Sequence, residues 1–286
     1  MQEGADINDA VKFRHDLIAL RRYTVAAVIL WSIIVVISLG WNILNERHKT
    51  LELARNEAMA NFNKDQALRF WAARHGGIYV PPDDRTPPNP ALSHIPDRDI
   101  ISNFGKKYTL MNPAYMLRQV MQEFGDLYGI KGRITSLKLL NPNNAPDEWE
   151  IKALMAFERG VKEVFEINDI KGIPYLRLMR PMIVGQPCLK CHEYQGYKVG
   201  DVRGGVGVSV PMTPYYELEK MATITMLLSH SGFWLLGLGA IALVFTRSKR
   251  RIIELARANE GLQASRRKLS CITSVLKGIP ILFIRR

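Results

Sequence analysis

The sequence predicts an α+β domain suspended between two membrane-spanning helices. Three observations carry that prediction. Two long apolar runs without Asp, Glu, Lys or Arg lie towards opposite ends of the chain. A stretch of strong helix formers free of Gly and Pro follows the first run. Between them, short segments of alternating or β-rich character are separated by turn signals.

The apolar runs are "YTVAAVILWSIIVVISLGWNIL" (23–44) and "MATITMLLSHSGFWLLGLGAIALVF" (221–245), the second interrupted only by His230. Each exceeds the ~20 residues a helix needs to cross about 30 Å of hydrocarbon. The first is too long for a signal-peptide core, and "SLGWNILNERH" has no small-x-small cleavage site, so it is expected to remain as an anchor despite the paired arginines in "LRRYTV". Arg21 and Arg22 precede the first run and "RSKRR" (247–251) follows the second. Segment 246–286 holds 11 Lys/Arg against 2 Asp/Glu, a net of +9 out of the chain's +12. The positive-inside rule then places both termini in the cytoplasm of a bacterial inner membrane, with 45–220 in the periplasm. The basic excess is explained by topology and anionic lipid rather than by nucleic acid.

Each element of the outer segment has its own signal. Residues 45–74 contain neither Gly nor Pro and extend the first membrane helix outward, until Gly76 and Gly77 stop it. "VPPDDRTPPNPALSHIP" reads as a proline-pinned loop. Asn112-Pro113 reads as an N-cap with proline at the first helical position, opening a helix that runs to about Tyr128 and ends at Gly129. "RITSLKLL" alternates as a strand does. A helix from about Glu148 to Arg159 is stopped by Gly160. "KEVFEIND" and "IPYLRLMRPMIV" form a hairpin around Lys171-Gly172, and "VRGGVGVSVPM" supplies a last strand. About four antiparallel strands with helices on one side make a PAS-like arrangement.

Between the last two strands lies "PCLKCHEYQGYKVGD" (187–201), in a chain with only one other cysteine, Cys271. C-x-x-C-H is the spacing of a c-type haem attachment site: Cys188 and Cys191 bond the vinyl groups, and His192 reaches the iron from one side. The alternatives are a redox dithiol, half of a zinc site, or chance. Outside the cytoplasm a bare thiol pair tends to oxidise. A zinc site needs two further suitable ligands, and no second C-x-x-C is present. A thioredoxin-like motif belongs at a strand-to-helix junction of a βαβ unit, whereas this one is expected in a loop between strands. One covalent haem c is the expected cofactor.

Together, "WAARHGGIYVPPDDRTPPNPALSHIPDRDI", "YTLMNPAYMLRQV", "NAPDEWEIKAL" and "PCLKCHEYQGYKVGDVRGGVGVSVPM" resemble the c-haem sensor domain of bacterial membrane histidine kinases and chemoreceptors, a family once catalogued as a domain of unknown function. The resemblance spans roughly 45–220 and implies a PAS-like fold and signal reception rather than catalysis. It also implies that some relatives use a cysteine as sixth iron ligand. This chain departs from that pattern, because its spare Cys271 lies on the expected cytoplasmic side.

His75, at the end of the long helix and directly before Gly76-Gly77, is the leading expected sixth ligand, set against a surface histidine at a helix C-terminus. Met111, Met116 and His94 follow it, and a methionine would raise the reduction potential. Arg203 is a candidate partner for a haem propionate. Tyr194, Tyr197 and Lys198 lie beside the motif as packing or surface residues. His48 is expected at the membrane interface. His230 is expected as a neutral imidazole bonded to a neighbouring helix rather than as a second haem site.

Beyond the second run, Leu255, Leu262, Leu269 and Leu276 recur every seven residues, with Asn259 at one companion position. That spacing predicts a basic signalling helix over 246–276 able to form a parallel two-stranded coiled coil, and hence a homodimer. Residues 277–286 read as the start of a truncated PAS-like segment. No phospho-acceptor segment, ATP-binding glycine motif or methyl-accepting hairpin is present in the sequence, so the output partner is expected elsewhere. The expected function is reception at the haem of a redox change or small ligand, without enzyme activity. A membrane-anchored monohaem electron carrier, exchanging electrons with a donor or acceptor, is the alternative.

Overall fold

The computed structural model describes residues 2–277, which divide into two compact units. One comprises Met1–Asn45 and Ala222–Arg286, the other Glu46–Met221.

In the first unit, parts of two helices, α1 (Gln2–Arg74) and α5 (Thr213–Lys277), are long and apolar enough to cross a membrane. Their apolar side chains are exposed, Val36, Ile37 and Leu236 among them. The two helices are tied by polar contacts. Trp31 Nε1 donates to the Trp234 carbonyl at 3.2 Å, and Trp234 Nε1 donates to Ser32 Oγ at 3.0 Å. His230 Nδ1 lies 2.8 Å from the Met226 carbonyl, an acceptor, so Nδ1 carries the proton; Nε2 is then left to accept from Ser38 Oγ at 3.2 Å. α5 is helical through Lys277; the PAS-like segment expected at 277–286 lies, apart from Lys277, outside the described residues.

The second unit is built on the outer part of α1. Ala54, Ala58, Phe62, Asp65, Arg69 and Ala72 are buried along one face at three- and four-residue spacing. The helix stops because Gly77 N donates back to Ala72 O at 2.9 Å, with Gly76 at φ 76° and Gly77 at φ 112°.

After α1 come β1 (Ile78–Val80), β2 (Asp99–Ile101) and β3 (Lys107–Met111), an antiparallel sheet in the order β1-β3-β2. This sheet is absent from the sequence reading. A 3-10 turn (Pro90–Leu92) also interrupts the loop expected there. α2 (Pro113–Tyr128) opens as expected, with Asn112 Oδ1 accepting from Tyr115 N at 3.2 Å, and closes on Gly129 at φ 66°.

A second sheet holds β4 (Lys131–Thr135), β5 (Val164–Ile170), β6 (Ile173–Ile183) and β7 (Val202–Pro211), antiparallel in the order β4-β7-β6-β5. β4 is shorter than expected and ends at Thr135. The β5–β6 hairpin turns on Lys171 (φ 57°) and Gly172 (φ 84°), the left-handed pair of a two-residue turn. α3 (Glu148–Glu158) is opened by a reciprocal cap: Glu150 N donates to Asp147, and Asp147 N donates to Glu150.

Helices cover both faces of this sheet, not the one expected. Leu176, Leu178, Val206 and Val208 face α1 and Leu117 of α2, each contributing roughly 1.5–3 kcal/mol by burial. Met179 faces Ala153, Leu154 and Phe157 of α3. β6 requires this, because it buries side chains on both faces.

Candidate functional site

The C-x-x-C-H motif occupies a loop closed at its base by paired backbone bonds: Val184 N donates to Asp201 O, and Gly200 N to Val184 O, both at 2.9 Å. Within it the chain is helical rather than irregular. A 3-10 turn (Gln186–Cys188) passes into α4 (Leu189–His192) and a second 3-10 turn (Glu193–Gln195), released by Gly196 at φ 85°. On one helical turn, Cys188 and Cys191 share a face.

Both cysteines and His192 line a cavity of about 380 Å³. Neither thiol is in a disulfide. Cys188 Sγ accepts from Gly185 N at 3.4 Å. Cys191 packs against Leu92, Ile95 and Leu110, and burial pushes its thiol pKa up. For His192, burial lowers the imidazole pKa, the bond to Gln195 opposes this, and nearby Arg203 adds to the lowering. The ring is therefore neutral at pH 7. Gln195 Oε1 can only accept, so at 2.8 Å His192 Nδ1 carries the proton and Nε2 presents its lone pair.

Arg203 fastens the loop beside this ring. Its Nη1 donates to Ser136 Oγ at 2.6 Å and to Lys138 O at 3.1 Å, its Nε lies 3.4 Å from His192 Nδ1, and its guanidinium covers the Tyr197 ring at 5.1 Å.

Arg69 from α1 and Arg118 from α2 line the same cavity. Leu92, Ile134, Leu139, Leu140, Met182 and Val184 make much of the remaining lining apolar, and no Asp or Glu lines it. Neither Arg69, Arg118 nor Met182 is singled out by the sequence reading. The signal for Arg69 was present: it is a cation on the buried, small-residue face of α1.

His75 is not brought to this cavity. Its ring is exposed, stacks on Trp71 at 4.6 Å and bonds the Trp71 carbonyl through Nδ1 at 2.8 Å. His94 is exposed with its ring 4.7 Å from that of Tyr194, and Met111 and Met116 are buried with Ala72. Of these side chains none lines the cavity, whereas Met182 does. His48 is exposed.

The donor set discriminates between cofactors. Among the described residues no three His, Cys, Asp or Glu side chains converge on a point where a metal ion would sit. Zinc requires such convergence. A haem does not, because the thiols meet the porphyrin rim while the imidazole meets its centre, and an apolar cavity with cationic groups suits a flat macrocycle bearing two carboxylates. The residues present fit haem.

Among solved structures, a match is the crystal structure of the cyanobacterial heme-protein Tll0287, 18% identical, covering 55% of this chain and 93% of that one at a TM-score of 0.37. No curated protein matches the chain. The family described as Tll0287-like matches residues 47–211, more than half of the sequence and the whole of the site, and the chain belongs to that family.

Proposed function

We propose that Glu46–Met221 is the haem c-binding sensor domain of a membrane receptor. The observation that carries this is one cavity lined by Cys188, Cys191 and His192 together with arginines that have no carboxylate partner, and with no Asp or Glu in its lining. Family membership supports it, since the family takes its name from Tll0287, which is titled a heme-protein. Cys188 and Cys191 would hold the group covalently, and His192 Nε2 would bind its iron, oriented through Gln195. When bound, haem supplies an iron whose oxidation state and axial ligation change reversibly. Met182, the remaining sulfur in the cavity lining, would be available to the iron as a second protein ligand.

Signal reception is preferred to electron carriage because Arg69 and the first apolar run belong to one helix, α1, so the cavity wall and the membrane anchor are one element. In this reading the fold is PAS-like, the domain is periplasmic, and both termini lie on the cytoplasmic side of the inner membrane, the side favoured by the basic flanks at 21–22 and 247–251. The tail dimerises through its seven-residue leucine spacing, in which Leu255 and Leu262 are exposed, and relays to a cytoplasmic output partner.

The test is to produce the full chain with cytochrome c maturation machinery. Haem absorbance should survive acid-acetone extraction, become fully extractable in the Cys188→Ala, Cys191→Ala double variant, and shift with carbon monoxide if an iron position is open. Recovery of only the bare polypeptide would overturn the haem reading. Identical crosslinking patterns in oxidised, reduced and carbon monoxide-exposed protein would overturn the sensor reading and leave an electron carrier.

A further inference from the structure

In the unit formed by Glu46–Met221, the arginines that are buried or half-buried fall into two sets. Arg55 and Arg180 pair with Glu163, Arg98 with Asp99, and Arg177 with Asp147 and Glu150. Arg69, Arg118 and Arg203 have no carboxylate within ion-pair distance among the described residues, and all three line one cavity. A desolvated cation without a counter-charge is costly, so sequences retain one where an anion arrives.

The three are not equivalent. Arg203 is committed to the protein through its Nη1, which donates to Ser136 and Lys138. Arg69 is 8% exposed and fixed only through Nε, which donates to Gln66 Oε1 at 3.0 Å, with its ring contact to Phe70; both terminal nitrogens remain for a ligand. Arg118 rests over the Tyr115 ring at 4.9 Å. Burial lowers the pKa of both.

We propose that Arg69 and Arg118 form a carboxylate-binding subsite that receives the two propionates of the porphyrin. This rests on the haem reading and moves the propionate role from Arg203, the residue expected from sequence, to the α1–α2 wall. Arg203 is instead a positioning residue for the haem-bearing loop. A guanidinium with free terminal nitrogens matches a carboxylate bidentately, which a lysine would not. The subsite also gives α1 a direct contact with the cofactor's edge.

The test uses the full chain in detergent carrying Cys188→Ser and Cys191→Ser, so that porphyrin binding is reversible. The probes are metal-free protoporphyrin IX and its dimethyl ester, followed by fluorescence, which removes iron ligation from the readout. The diacid is expected to bind more tightly than the diester, and Arg69→Gln or Arg118→Gln should each weaken diacid binding roughly tenfold while leaving the diester unchanged. Arg85→Gln, on the surface, should change neither. Circular dichroism melts check folding, and Arg118→Gln alone decides if Arg69→Gln does not fold.

Equal binding of diacid and diester, or an unchanged preference in both variants, would overturn the subsite while leaving the haem reading standing. If phosphate or acetate raised diester affinity to that of the diacid, the arginines would serve a free anion instead and the propionate assignment would fall. Failure of both porphyrins to bind would overturn the subsite, while the haem reading stands or falls on covalent attachment in the unmodified chain.

Discussion

His192 and Gln195 face each other across one turn of the haem-motif loop, Nδ1–H to Oε1 at 2.8 Å. Three residues apart on a helical turn, they form a local pair that fixes which imidazole nitrogen is bare. The bond needs no distant element, only the 3-10 turn over Glu193–Gln195 that Gly196 terminates.

Removing that orienting acceptor should weaken iron binding without disturbing porphyrin binding. In the Cys188→Ser, Cys191→Ser background, Gln195→Leu is expected to lower haemin affinity by about 10–100-fold, the usual cost of losing such a partner. Metal-free protoporphyrin IX should bind as before. Equal losses for both probes would mean that Gln195 shapes the cavity rather than the ligand.

Asp65 predicts a pH dependence. It is buried on the inner face of α1, and burial raises its pKa, with Lys64 opposing. A raised folded-state pKa means that the fold binds this proton more tightly than the unfolded chain does. The fold's stability is therefore full below the unfolded value near 4 and falls as pH rises through the folded value. Asp65→Asn should melt higher at pH 7, by about 2–4 °C per kcal/mol recovered, and show no gain at pH 3. Thermal scans of the haem-free protein at the two pH values check this.

Gly77 predicts a steric penalty. Its φ of 112° disfavours any side chain, and a Cβ there would sit 2.7 Å from Leu110 Cδ1 and 2.8 Å from the Met111 carbonyl. Leu110 can shift but the β3 backbone cannot do so without disturbing the β1–β3 ladder. Gly77→Ala should destabilise the unit by about 2 kcal/mol or more, whereas Gly105→Ala, with no atom within 4 Å, should carry only its backbone strain (φ 78°) of about 1 kcal/mol. Denaturant midpoints of the two variants give the comparison.

These contrasts also mark what was legible in the sequence. Asn112-Pro113, Gly129, Lys171-Gly172 and Gly76-Gly77 each act on their own neighbours, so the elements they bound were readable one segment at a time. The β1-β3-β2 sheet was not, because β1 is three residues long and pairs with β3 only across the proline-rich loop, by contacts no local pattern encodes. The site divides in the same way. Cys188, Cys191 and His192 fall within five residues, so the chain brings them together without help from distant packing. Arg69 and Arg118 reach the cavity only through the packing of α1 and α2, and proximity to a helix end pointed to His75, whose ring instead turns onto Trp71.

Gly237 tests the tie between the two apolar helices. A Cβ at Gly237 would fall on the Trp31 indole, whose Nε1 donates to the Trp234 carbonyl. The missing side chain lets the indole lie against α5, the close approach that small residues permit between helices in lipid. Gly237→Val should displace Trp31, break its bond to Trp234 and weaken the helix pair by on the order of 1 kcal/mol, the scale of one interhelical hydrogen bond. Gly232→Val, on the same helix with nothing within 4 Å, should be silent. In a background where Trp31 and Trp234 are the only tryptophans, emission should shift in Gly237→Val and hold in Gly232→Val. The reverse pattern, or equal shifts, would mean that the indole does not occupy the Gly237 slot.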